Sequence, residues 1–492
     1  MSKTVESAQN KVLSKLLRKA AKTEYGKRYG FSKIRDYETY AQKVPLITYK
    51  DIDTCIERMK RGEPDILWPG KIQNFAVSAG TTGKGKHIPL SHERLYSDQR
   101  FMRRVVFNYI KQNPRFITLF FGSHLSLPGR IERPDSRSNV RLGEISGYLA
   151  KISPGWLAMF QVRSPHSMTL ESWGDKFERT LAKALKSDVR QISTTPFWAL
   201  QFFHRALEKT GKKYIREIWP NLSLFISGGE ALSTYRSHLD HLLDGLDMDY
   251  VENYGASESY FAFSDDLKRK DLRLVIDNGC FYEWIPNPSK NRDDLQTQKA
   301  VPTWQVEKDV PYGLVVTSNS GLYRYIINDV IRFTDVDSPR IEVIGRVSEV
   351  FDQFGEAVES YEARQALDES VEMSGAKISL FTMGGMIDPV IGLPRHYWFI
   401  QWVKQPEDLN QFAHLLDENL SSINRHYQIR REVGLEMPVI MNLSNEALNK
   451  WFKKHKEVKA QTKIPRILQD QNQISDLVDL CSEGSNAQTA ES

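Results

Sequence analysis

Phe75-Ala-Val-Ser-Ala-Gly-Thr-Thr-Gly-Lys-Gly-Lys-His-Ile-Pro89 decides how this chain is read. An apolar strand end leads into a loop of small hydroxyl and glycine residues that carries two lysines, Lys84 and Lys86. Gly80, Gly83 and Gly85 have no Cβ, so the backbone there can turn tightly and approach a ligand. Ser78, Thr81 and Thr82 supply hydroxyl donors, and successive backbone amides in such a loop form a concave anion site. A nucleotide triphosphate tail suits that chemistry. A glycine-rich surface turn is the plain alternative, and the string alone does not choose between them.

Gly80, four residues and Gly85-Lys86 nearly spell a Walker-type loop, but that loop needs Ser or Thr next and must open a helix. His87 follows instead, and Pro89 disfavours helical backbone at Ile88. The segment after the lysines therefore reads as a strand. The helix is expected to begin near Ser91, an N-cap with Arg94 rather than an acid at the third position, hence only a partial capping box.

A chain of 492 residues exceeds one core and implies two or more domains. With 26% charged and 40% apolar residues it has the composition of an ordinary globular protein. A net charge of +5 is compatible with an anionic ligand such as ATP and far below the signature of nucleic-acid binding. No apolar run reaches the ~18 residues of a membrane span, and the first thirty residues lack the apolar block of a signal peptide. Cys55, Cys280 and Cys481 lie far apart and match no metal spacing. A reducing, cytoplasmic setting is expected.

Val12, Leu13, Leu16 and Leu17 recur at helical spacing within Val5 to Lys22. Phe116 to Phe121, Leu222 to Ile226, Leu314 to Thr317 and Ile341 to Ile344 read as strands, with helical patterns at Trp173 to Leu185 and Trp198 to Lys209. That alternation argues for α/β layers. Asn287 to Pro302 is polar and proline-bearing, a surface loop. Beyond a boundary near Gly345, Tyr397 to Trp402 reads as a strand and Glu407 to Ser422 as a helix. The expected division is a large domain 1–345, a small α+β domain 346–480 and a frayed tail 481–492.

Further motifs join the loop: Phe225-Ile-Ser-Gly-Gly-Glu230, Val251-Glu-Asn-Tyr-Gly-Ala-Ser-Glu258, Tyr323-Arg-Tyr-Ile-Ile-Asn-Asp-Val330 and Gly345-Arg346. In open α/β sheets ligands sit at the carboxyl ends of strands, so such strand-end motifs can meet at one pocket. Together they resemble the core signatures of adenylate-forming enzymes. More closely, the chain resembles the auxin-responsive acyl-acid amido synthetases, the Gretchen Hagen family, particularly its bacterial members. Tyr25-Gly-Lys-Arg-Tyr-Gly-Phe31, Val44-Pro-Leu-Ile-Thr-Tyr49, Phe281-Tyr-Glu-Trp-Ile-Pro286 and Gln461-Thr-Lys-Ile-Pro-Arg466 extend the resemblance nearly end to end.

The resemblance implies an adenylate-forming fold, with a large N-terminal domain of layered sheets and helices. It also implies an ATP- and Mg²⁺-dependent ligase that adenylates a carboxylic acid and passes the acyl group to an amine, usually an amino acid. AMP and pyrophosphate leave. Ser78, Thr81 and Thr82 fall where the family's loop contacts the triphosphate. Gly228, Gly229, Tyr254 and Gly255 fall around the adenine, Asp329 on the ribose hydroxyls and Glu258 on Mg²⁺. Lys463 matches the lysine of the C-terminal motif, and Arg346 lies in the Gly345 to Glu349 stretch that is the hinge candidate. Arg103, Arg104, Phe197 and Trp198 are candidates for the acyl pocket.

Each has a plainer alternative. Glu258 could cap a helix, Asp329 could pair with Arg324 or Arg332, and Tyr254, Phe197 and Trp198 could be core aromatics. Lys463, Arg103 and Arg104 could be solvated, and the hinge stretch a simple linker. Ala79 removes a hydroxyl that plant members often carry, and Asn328 stands where a glycine is usual, a residue that tolerates left-handed backbone. An acyl-CoA ligase sharing the first half-reaction and an inactive nucleotide-fold binding protein are the competing functions. The acid, the amine, its base and the oligomeric state are not legible in the residues.

Overall fold

Leu13, Leu16 and Leu17 line the buried face of the first helix, Lys3–Ala20, in a computed structural model of the chain. The structure describes residues 3–489 apart from 78–85, 115, 130, 134–138, 153–160, 163–172, 230–231, 233–234, 289–294, 348–349, 352, 355, 357, 389–392 and 456–463. Two units emerge: Met1–Ala231 with Leu243–Val343, and Leu232–Leu242 with Ile344–Ser492. The division falls between Val343 and Ile344, inside the strand Arg340–Arg346, and the second unit takes a short segment from within the expected large domain.

Among the described residues the first unit is built on a twelve-stranded mixed sheet. Its parallel part runs Ser123–Ser126, Val189–Thr194, Leu224–Gly228 and Asp249–Gly255. Parallel strands need covered faces, and Ile192 and Phe225 are accordingly buried. From Asp249–Gly255 the sheet turns antiparallel through Tyr260–Phe263 and Leu272–Leu274. Cys280–Pro286, Pro311–Ser318 and Leu322–Asp335 form its far side. A smaller four-stranded sheet holds Asn74–Val77 and His87–Pro89. One continuous core joins the first helix to these strands, with Tyr25 stacked on Tyr323 at 5.0 Å.

The second unit has its own core around the three-stranded sheet Lys377–Ile387, Pro394–Lys404 and Glu436–Asn442, covered by helices Ser360–Ser374 and Leu409–Ile423. The inserted helix Arg236–Leu242 packs on the strand Lys377–Ile387.

One expectation fails. Phe116 to Phe121 is not a strand: Phe116–Leu119 is a short helix and the strand follows at Ser123–Ser126. An unbroken apolar run has no period to separate helix from strand, and Ile117, Phe120 and Phe121 end up exposed. Helix Gln471–Thr489 runs into the stretch expected as a tail, and Cys481 in it is buried. Within 287–302, Val301–Pro302 adds an edge strand by pairing with Glu283 and Trp284.

Asp271 knots the antiparallel half together. Arg269 donates to it at 2.8 and 2.6 Å, Thr334 at 2.7 Å and Arg340 at 2.9 Å. The Arg269 bonds, helped by Thr334 and Arg340, hold its carboxyl far below the usual range. A depressed carboxyl stabilises the fold above its unfolded pKa of about 3.9, and that stability is lost as pH falls further. Asp271→Asn should therefore cost roughly 1–2 kcal/mol at neutral pH, discounted for the half-exposed Arg269. The gap to wild type should narrow below about pH 4, as read from urea midpoints at both pH values.

Candidate active site at the strand ends

Asn74–Val77 and His87–Pro89 pair antiparallel, Phe75 against Pro89 and Val77 against His87, so a strand and not a helix follows the glycine-rich stretch. Ser78, Thr81 and Thr82 lie in that stretch, outside the described residues. The helix His92–Gln112 begins where expected: Ser91 Oγ accepts from Arg94 N at 2.9 Å and donates to the Asn319 carbonyl at 2.5 Å.

Gly228 and Gly255 sit at the ends of adjacent parallel strands. Neither position admits a side chain: a Cβ on Gly228 would lie 2.6 Å from Asn253 Oδ1, and one on Gly255 2.5 Å from the Tyr260 ring. Gly229 follows at φ +84°, the left-handed region. Tyr254 packs against Phe261 with the rings tilted and their centroids 5.1 Å apart, and its hydroxyl donates to Asp329 Oδ2 at 2.7 Å. It is thus both a core aromatic and the residue that holds Asp329.

The long strand Leu322–Asp335 delivers Asp329 by breaking its own ladder. Gly313 faces Val330 while Val315 faces Ile326, so Ile327, Asn328 and Asp329 bulge opposite Leu314. A second irregularity lies between Val316–Tyr325 and Ser318–Leu322. There Arg324 takes φ +48°. Bulges re-aim side chains beside active sites. Asn328 is not among the left-handed residues; Arg324 carries that conformation instead. Arg324 pairs with Glu283 and Arg332 with Glu342, so neither ion pair draws on Asp329.

Glu258 lies in the turn between Asp249–Gly255 and Tyr260–Phe263, where Ala256 N bonds the Ser259 carbonyl at 2.8 Å; it caps no helix. It is 7% exposed. Burial pushes its carboxyl up and the charge of Asp329 adds to this, while Lys86 and Arg94 pull it down. Tyr325 lies buried beside it, its phenol raised by burial and by the Glu258 charge. Glu258, Asp329, Tyr254 and Lys86 therefore form one cluster. Of these, sequence reading had Lys86 only as a loop charge, and it missed Arg94 and Tyr325. Arg94 was visible as an odd third residue after Ser91, and Tyr325 as an aromatic within the motif ending at Asp329.

One donor set bears on Mg²⁺. Among the described residues no group of three or more His, Cys, Asp or Glu side chains is arranged to hold a metal. A single buried carboxylate fits an ion shared with substrate phosphates, the usual way Mg²⁺ is bound.

The remaining candidates have surroundings of their own. Arg103 is nine residues beyond Arg94, about 180° around the helix, and lies over the exposed Tyr96 ring at 5.7 Å. Arg104 pairs with Asp277 at 2.6 Å on the surface. Trp198 is buried near Phe177 at 6.0 Å, and the Phe197 side chain is outside the described residues. In the second unit, Arg346 N donates to Ser360 Oγ at 3.5 Å. Lys463 is outside the described residues; the chain resumes at Ile464, and Met383 N bonds the Arg466 carbonyl at 2.9 Å.

A strand-end cluster on a mixed α/β sheet, with a smaller α+β unit, is the architecture of adenylate-forming enzymes. The fold matches 2-hydroxyisobutyryl-CoA ligase in its postadenylation state with a TM-score of 0.54, 11% identity, and 97% and 92% of the two chains covered. It matches the GH3.15 acyl acid amido synthetase with a TM-score of 0.77, 19% identity, and 97% and 93% covered. Family models for the GH3 N-terminal, central and C-terminal domains match residues 1–199, 273–346 and 361–472. The Arabidopsis thaliana probable indole-3-acetic acid-amido synthetase GH3.1 is 24% identical over 95% of this chain and 90% of its own. The indole-3-acetic acid-amido synthetase GH3.2 of the same plant is 25% identical over 81% and 85%. The chain belongs to the GH3 family. As such it is an adenylate-forming ligase of the acyl-acid amido synthetase class, making C–N bonds.

Proposed function

We propose that this chain uses Mg-ATP to adenylate a small carboxylic acid and then transfers the acyl group to the amine of an amino acid. The observation that carries the reading is the cluster of Tyr254 at a strand end, Glu258 in the turn that follows it and Asp329 in the bulge of Leu322–Asp335. Tyr254 and Asp329 take the nucleoside: the tyrosine hydroxyl holds the carboxylate that accepts from the ribose hydroxyls, and Gly228, Gly229 and Gly255 present backbone to the base. Ser78, Thr81 and Thr82 take the triphosphate, and Glu258 holds Mg²⁺, which neutralises phosphate charge. For Lys463 and Arg346 the assignment rests on motif position alone. A cytoplasmic setting fits three cysteines held as thiols.

The physical difficulty is an anion attacking an anion. Lys86, beside Glu258, places positive charge where phosphoryl oxygens accumulate negative charge, the preorganised stabilisation that dominates such transfers. The test is acid-dependent pyrophosphate release with Mg-ATP across aryl and alkyl acids, hydroxylamine serving as acceptor. Hydroxamate formation with some acid is expected. Silence across a broad panel, with no stabilisation of the chain by Mg-ATP, would overturn the reading. The likeness to a CoA ligase supports a second reading, a thiol acceptor, which competition of CoA against amino acids on the same acid decides. Tyr254→Phe is expected to weaken ATP binding about tenfold, because a bond to a charged group is lost. Titration calorimetry checks it, and unchanged affinity would remove Asp329 from the nucleoside site.

A further inference from the structure

Arg94 is wholly buried, in the helix that begins shortly after the glycine-rich stretch. Its Nη1 bonds the equally buried Asp98 one turn on. Its Nε donates to the backbone carbonyl of Glu258 at 3.1 Å. Arg94 Nη2 and Asp98 Oδ1 find no hydrogen-bond partner among the described residues. A buried ion pair seldom recovers its desolvation, and unsatisfied buried atoms add a further cost. Two apolar side chains would fill the same space more favourably. What the pair supplies that they cannot is a fixed donor on the Glu258 peptide.

We infer that Arg94, anchored by Asp98, is a positioning residue for the metal-binding carboxylate: it grips the Glu258 carbonyl and so fixes the direction of that side chain. Glu258 stands in a turn between two strands, with no helix to orient it. Arg94 ties that turn to the helix following the triphosphate loop, so both sets of phosphate-facing groups share one rigid support. The inference rests on Glu258 as the Mg²⁺ acid. Outer partners of metal ligands are commonly worth 10–100-fold in metal affinity.

The test is calorimetric titration of the full chain with ATP, in EDTA and at stepped MgCl₂. Arg94→Ala would strand Asp98, so two other variants are used. Arg94→Lys keeps a cation beside Asp98 while losing the planar fork. The double variant Arg94→Met with Asp98→Leu removes both charges together, a replacement buried pairs often tolerate. In each, the Mg²⁺ needed for half-maximal tightening of ATP should rise about 10–100-fold, with affinity in EDTA unchanged. A packing role alone would weaken both conditions alike. In the Glu258→Gln background the Arg94 variants should add nothing further. Wild-type Mg²⁺ dependence in a folded Arg94 variant, or failure of both variants to fold, overturns the inference. Wild-type Mg²⁺ dependence in Glu258→Gln itself would overturn the metal assignment beneath it.

Discussion

Glu258→Gln is expected to cut acid-dependent pyrophosphate release at least about 100-fold while leaving the fold intact. The isosteric amide keeps the packing of a side chain that is 7% exposed and removes only its charge. Burial, reinforced by Asp329, raises this carboxyl above its unfolded value. Ionisation therefore costs stability, and the loss develops as pH rises from about 4.3 to the raised folded value. At neutral pH the amide should consequently melt no lower than wild type in the absence of nucleotide. Stability kept and turnover lost is the signature of a charge retained for chemistry. A variant releasing pyrophosphate at the wild-type rate would end the assignment.

Glu283→Ala should lower unfolding stability by about 3–5 kcal/mol, the usual result of stranding one member of a buried pair. Glu283 accepts from Arg324 Nε at 3.0 and 3.1 Å and from the Tyr37 hydroxyl at 3.1 Å. Arg324 meanwhile ties down the carbonyls of Ala41 and Val44 at 2.7 and 2.8 Å. Removing the acid leaves a guanidinium without its counter-charge, on a residue already in left-handed backbone. Denaturant midpoints measure the loss, and a shift under about 1 kcal/mol would mean that the pair relaxes into solvent. Because Tyr325 follows Arg324 directly, the surviving folded fraction should also bind Mg-ATP more weakly.

The parts of this protein that could be read from its residues are those governed by local rules. Pro89 excluded a helix after the loop, Ser91 started one, and the apolar strand ending at Gly228 announced itself by pattern. Glu258 and Asp329 were reachable through motif resemblance. Arg94 was not, because its meaning comes from a carbonyl 164 positions away. Asn328 was read only as tolerating left-handed backbone, and the residue that takes it is Arg324, held in a buried ion pair and bonded to two carbonyls. The run from Phe116 offered hydrophobicity without period, and Cys481 sits in a helix whose later residues are small and polar. In both, composition alone did not choose the structure.

The helix Arg236–Leu242 belongs to the second unit although the chain on either side of it belongs to the first. A polypeptide starting at Ile344 would lack the helix that packs on its strand Lys377–Ile387. Swapping that unit between relatives would require transplanting two separate segments together. Newly made chain meets the same constraint: the helix emerges from the ribosome well before the strand Lys377–Ile387 that it packs on, and must wait for it.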